Sequence, residues 1–215
     1  MELDSVQIGA ADVETAAAAY RLLLGLAPAP LDGGGRRFQL ALGAIEIEAG
    51  EPGVRSIRFV GESRPGWPES FHGLTVHVGS RPDARETTDG LAIDHIVVRT
   101  PDSDRAIHLW RDRVGLRLAL DQTFPERGLR LLFFRSAGMT LEFAGSDPPP
   151  ADRSEPDQLY GVSYRVPDLA AHRERLVAAG VDVSPVRPGM RFGTSVVTVR
   201  SGTAGVPTLL LETHQ

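Results

Sequence analysis

From Ile93 the chain alternates. In IDHIVVRT, Ile96 and Val98 fall on one face and His95, Val97 and Arg99 on the other, the period-2 pattern of a half-buried strand. Pro101 and Asp102 interrupt it. Asp102 is placed to N-cap a helix in which Ala106, Ile107, Trp110 and Val114 recur at helical spacing until Gly115 stops it. Three strand patterns follow, near Arg117 to Gln122, Leu129 to Arg135 and Met139 to Ala144, punctuated by Pro125, Gly128 and Gly138. The stretch therefore reads as a β-α-β-β-β unit. In its last strand Leu141 and Phe143 share a face and Glu142 points the other way, which predicts His95 and Glu142 on the sheet face opposite the helix.

The same pattern recurs along the chain. Subtracting 90 from these positions carries His95 to Ser5, Asp102 to Asp12, Trp110 to Tyr20 and Gly115 to Gly25 without a gap, and Glu46 in GAIEIEAG matches Glu142 to within one residue. Gly33-Gly34-Gly35 reads as a hairpin turn in this copy, since no helix start or Lys-Ser/Thr pair follows to make it a phosphate cradle. Residues 54–80 offer only two strands, Ser56 to Val60 and Leu74 to Val78, so they are a shortened copy or two added strands; His72 and His77 read there as exposed or edge-strand residues. RPDARETTDG, residues 81–90, is polar and aperiodic and reads as a linker. After the Pro-rich connector SDPPPADRSEPDQ comes a last full copy from Leu159. Adding 66 carries Arg99 to Arg165 and Asp102 to Asp168; its helix shows Leu169, His172, Leu176 and Ala179 on one side, and strands are expected near Asp182 to Val186, Ser195 to Arg200 and Thr208 to Thr213. Gly161 falls where His95 would be, and Glu212 in LLLETHQ matches Glu142 in LEFAG. The expected fold is α+β: repeated βαβββ modules paired into cup-shaped, mostly antiparallel sheets with helices outside, in an N-terminal half (1–84) and a C-terminal half (91–215) that holds the candidate active cup.

Composition narrows the function rather than the fold. With 215 residues, 41% hydrophobic and 24% charged, the chain has an ordinary soluble composition and enough length for a real core. A formal charge of -5 gives no electrostatic reason to expect nucleic acid or an anionic membrane. There is no cysteine, which removes disulfides, thiolate ligands and a cysteine nucleophile and fits a reducing compartment; with no basic leader or long apolar run, a cytoplasmic protein is expected. Nucleophile-elbow, Rossmann and P-loop motifs are absent.

Repeated βαβββ modules, one of them opened by DHIVVRTPD and closed by LEFAG, resemble the vicinal oxygen chelate superfamily of glyoxalases, bleomycin-resistance proteins, fosfomycin-resistance enzymes, methylmalonyl-CoA epimerases and extradiol dioxygenases. The resemblance spans nearly the whole chain. It implies that each module lends a histidine from its first strand and a glutamate from its last to a shared cup, which here gives His95, Glu142 and Glu212 as metal ligands, with Gly161 at the second histidine position. One imidazole and two carboxylates suit a divalent ion such as Mn, Fe, Ni, Zn or Mg; the alternative is a cup with no metal at all. Glu142 and Glu212 are the candidate catalytic bases. Arg99 and Arg165, equivalent in the repeat, would flank the cup and receive an anionic group, with Tyr160, Phe124 and Phe192 contacting the ligand. The implied activity is a metal-dependent isomerase, lyase or epimerase acting on a small oxygenated substrate. A non-catalytic small-molecule binding or resistance protein is the alternative, and an extradiol dioxygenase the weaker one, since Gly161 removes a histidine. A small-molecule substrate or ligand is the expected partner, in a monomer or homodimer.

Overall fold

The computed structural model describes residues 1–61, 67–80 and 90–214. The chain forms β1 (Glu2–Ala10), α1 (Val13–Leu24), β2 (Ala29–Pro30), β3 (Arg36–Gln39), β4 (Ala44–Ala49), β5 (Gly53–Val60) and β6 (Thr75–Gly79) in the N-terminal half. The C-terminal half forms β7 (Ala92–Arg99), α2 (Ser103–Ile107), β8 (Arg117–Phe124), β9 (Leu129–Ser136), β10 (Met139–Ser146), β11 (Gln158–Arg165), α3 (Leu169–Ala178), β12 (Arg187–Pro188), β13 (Thr194–Val199) and β14 (Thr208–Thr213). These strands make two mixed sheets, ordered β2-β3-β4-β1-β5-β6 and β12-β13-β14-β11-β7-β10-β9-β8.

Each unit runs its first and last strands parallel, and the first strands of neighbouring units pair antiparallel at the sheet centre. Residues 54–80 read as a shortened unit: β5 and β6 pair parallel as β11 and β14 do, and among the described residues between them there is no helix or middle strand. The expected linker at 81–90 lies, apart from Gly90, outside the described residues. One expected strand fails. Around 182–186 there is only a bridge from Val183 to Val199, and pairing proper is confined to Arg187–Pro188, because Pro185 and Pro188 remove ladder donors from this edge.

The helices begin where the caps predict. Asp12, Asp102 and Asp168 each accept hydrogen bonds from backbone N–H groups of the first turn, and Gly25 ends α1 in a left-handed conformation. After Ile107 the second helix widens into a π turn over His108–Arg113, which keeps Leu109 and Trp110 buried. Trp110 packs against Phe59, Phe71 and Phe143, so it joins both sheets in one hydrophobic core. The halves are also tied by polar contacts: backbone bonds from Ala41 to Leu91 and from Ile93 to Leu42, and His172 and Arg175 of α3 on the terminal carbonyls of α1 at Leu22 and Leu23. His172 is thus part of the seam between the halves. Among the described residues no helix is long and apolar enough to cross a membrane.

Candidate functional site

In a regular strand Asp94 and His95 would face opposite ways. The pairing of β7 with β11 slips between Ser163–His95 and Tyr164–Ile93, leaving Asp94 as the extra residue of a bulge. The bulge lets its carboxylate reach forward, and Asp94 Oδ2 lies 2.9 Å from His95 Nδ1. Its other oxygen is 3.4 Å from Arg165 Nη1. On the far side of the ring, Glu142 Oε2 is 3.7 Å from His95 Nε2, too long for a hydrogen bond. Glu142 reaches this position because β10 pairs parallel with β7, Thr140 beside His95 and Glu142 beside Val97, while Leu141 and Phe143 point into the core.

The two carboxyls are pushed in opposite directions. Burial raises Asp94, but the His95 hydrogen bond and the charges of His95, Arg165 and Arg191 more than offset it, and its pKa falls below the ordinary value. Asp94 is therefore an ionised acceptor, which requires the proton of a neutral His95 on Nδ1 and leaves the Nε2 lone pair facing Glu142. Burial drives Glu142 up; His95 opposes the shift, Asp94 adds to it, and the net displacement is toward the neutral acid. A hydrogen-bonded, tautomer-fixed imidazole thus faces a carboxyl whose pKa burial raises.

Glu212 does not join them. Leu210 is buried in the core beneath α3, and Glu212, two residues on, shares its face; the carboxylate accepts from Leu169 N at 2.9 Å at the start of that helix. The residue that matches Glu142 is Leu209, which pairs with Ser163 as Glu142 pairs with Val97. The expected match of Glu212 to Glu142 is thus three residues out of register, which for an odd offset also reverses the face. At the second histidine position, a Cβ on Gly161 would lie 2.6 Å from Pro207 O, so no side chain fits there in this backbone. Among the described residues no three His, Asp or Glu side chains are arranged to hold a metal ion. One imidazole and one carboxylate, with Asp94 already shared between His95 and Arg165, do not fit the resident divalent ion that the family frame implies.

The remaining candidates are spread out. Arg165 serves Asp94, and Arg99 lies over the Tyr160 ring, 3.6 Å from its centroid, at the other end of the β7–β11 pair. Phe124 ends β8 beside Leu129, which pairs in turn with Ser146, at the far end of β10 from Thr140; its ring lies under Arg127. Phe192 is fully exposed on the loop before β13. Two contributors escaped the sequence reading. Asp94 did so because strict alternation assigned it to the wrong face, although Asp4 recurs at the same place in the first copy and also sits in a bulge. Arg135 did so because it lies on a middle strand: it pairs with Thr140, which pairs with His95, and its guanidinium donates to Thr140 Oγ1 at 2.7 Å.

The chain resembles known proteins in sequence and in fold. Residues 94–198 match the family model described as the Glyoxalase/Bleomycin resistance protein/Dioxygenase superfamily. The ethylmalonyl-CoA/methylmalonyl-CoA epimerase of Cereibacter sphaeroides is 25% identical over 97 residues, 42% of this chain and 72% of the epimerase. A mutant 4-hydroxymandelate synthase from Streptomyces coelicolor superposes on 99% of this chain and 92% of its own, with TM-score 0.73 at 11% identity, so the likeness of fold extends over both halves. Methylmalonyl-CoA epimerase from Mycobacterium tuberculosis covers 57% of this chain and 88% of its own, with TM-score 0.47 and 21% identity.

Proposed function

We propose that the C-terminal cup, whose His95 and Glu142 lie within the segment 94–198 that matches the Glyoxalase/Bleomycin resistance protein/Dioxygenase superfamily, binds a small oxygenated anion and moves a proton on it through these two residues. The observation that carries this reading is the 3.7 Å gap between His95 Nε2 and Glu142 Oε2, with Nδ1 anchored by Asp94. A carbon acid beside a carbonyl gives its proton to Nε2, and Asp94 stabilises the imidazolium that forms. Glu142, whose burial favours the neutral form, returns a proton to the substrate from that form, and transfer from His95 to Glu142 restores the starting state. Arg135 supports binding of the anionic end, since no carboxylate among the described residues pairs with it. This is acid–base chemistry of the isomerase or epimerase kind, and it rests on no metal ligand set.

A second reading is a non-catalytic binding protein. It is favoured by Gly161 and Leu209, which leave two of the four inward positions without chemistry. One experiment separates the two. The name of the Cereibacter relative suggests methylmalonyl-CoA as the first probe. Protein incubated with it in D₂O is expected to wash deuterium into the carbon acid, and His95→Gln and Glu142→Gln are each expected to slow this by roughly 100-fold or more. Binding without exchange favours the second reading, and exchange undiminished in both variants rejects the dyad.

A further inference from the structure

The N-terminal cup repeats the frame of the C-terminal one with different chemistry. Ser5 on β1 pairs with Arg58 on β5, and Arg58 with His77 on β6, so the three form one row across neighbouring strands. It is the row that holds His95, Ser163 and Leu209 in the other sheet. Ser5, Arg58 and His77, together with Gln7, Glu46 and Ser56, line a single cavity of about 20 Å³. That is room for one small polar group at its base.

The acceptors of this cavity are committed, and so are the Ser56 hydroxyl and the Gln7 amide N–H, which donates to Glu48; the donors of Ser5 and Arg58 are not. Glu46 is paired with the Arg37 guanidinium, and Gln7 Oε1 accepts from Ser56 Oγ at 2.8 Å. Ser5, by contrast, is 1% exposed, and its Oγ has no hydrogen-bond partner. No carboxylate among the described residues pairs with Arg58. A buried hydroxyl without a partner is unfavourable, and an unpaired guanidinium beside it offers two parallel N–H donors to a planar oxyanion. His77, exposed on the edge strand, adds a third donor at the mouth. Glu46 and His77 are not a metal set, since the carboxylate is already held by Arg37.

We propose that this cavity is a second ligand site, separate from the C-terminal cup, that takes the carboxylate group of a small organic acid, with Arg58 and Ser5 as its principal donors. The site is independent of the reaction assigned to His95 and Glu142.

The test is an acetate titration of the full chain followed residue by residue in amide NMR spectra, with chloride replaced at constant ionic strength. Saturable shifts are expected at Ser5, Arg58 and His77. Arg58→Gln should weaken acetate by roughly tenfold or more, the loss of a charge-assisted pair. His77→Gln sits on an exposed edge and should fold like the parent, so it decides the matter if Arg58→Gln does not fold; a several-fold weakening is expected there. Absence of saturable shifts at Ser5 and Arg58, undiminished binding in the variants, or equal response to inorganic phosphate each overturns the assignment.

Discussion

Replacing Glu212 separates a helix-capping carboxylate from a site carboxylate. The side chain accepts from Leu169 N at 2.9 Å, at the first residue of α3, while Asp168 serves Ala171 N at 2.8 Å. Both supply acceptors to donors that the helix itself leaves unpaired. Its side chain is 27% exposed, which softens the charge contribution. Loss of one such cap costs about 1 kcal/mol, within a range of roughly 0.5–2. For a chain of this size that lowers the melting temperature by about 2–4 °C per kcal/mol. Glu212→Gln keeps a neutral acceptor and should lose about half as much. Thermal and urea unfolding of the parent, Glu212→Ala and Glu212→Gln measure this, beside the deuterium-exchange rate with methylmalonyl-CoA. The expected result is a stability loss graded from Gln to Ala with exchange unchanged. Parental stability combined with abolished exchange would refute the assignment and return Glu212 to the cup.

Further outcomes follow from the same geometry. Gly161→Ala should destabilise by about 1–3 kcal/mol, because its Cβ would meet Pro207 O at 2.6 Å; an unchanged urea midpoint would mean that β11 yields easily. Asp94 has a lowered pKa in the folded state, so its contribution is present above the ordinary carboxylate value of 3.8 and is lost as pH falls through the folded value. Asp94→Asn should accordingly narrow its stability deficit toward low pH, read from unfolding at about pH 6 and pH 3. Burial also depresses His172, partly opposed by its bond to Leu23 O, so the folded state disfavours its protonation. Stability from that seam is full above the ordinary value of 6.5 and falls as pH drops through the folded value; His172→Asn should flatten the parent's loss between about pH 7.5 and 5.

The repeat was legible because each copy is written twice, once in strand alternation and once in its caps. Asp12, Asp102 and Asp168 mark three helix starts, and Ile96, Val98, Leu141 and Phe143 mark the faces of two strands. That is enough to set His95 and Glu142 on a common surface. What escaped depends on register rather than composition. The bulge at Asp94 breaks alternation at the one residue that orients the imidazole, and a bulge leaves little trace in a single sequence. The run of three leucines before Glu212 allows several alignments with LEFAG, and only the pairing of Ser163 with Leu209 selects one. Arg135 and His77 depend on which strands become neighbours. His77 reads as an edge residue from sequence and is one, yet it also lines the N-terminal cavity.

The most direct measurement is the nitrogen NMR spectrum of the His95 ring in the parent protein at neutral pH. If the imidazole is poised to take a proton, Nδ1 carries the hydrogen toward Asp94, Nε2 is unprotonated, and Asp94→Asn disturbs that preference. A ring protonated on Nε2 in the parent, unchanged in Asp94→Asn, would mean that His95 merely donates toward Glu142, and the proton-transfer role would fail.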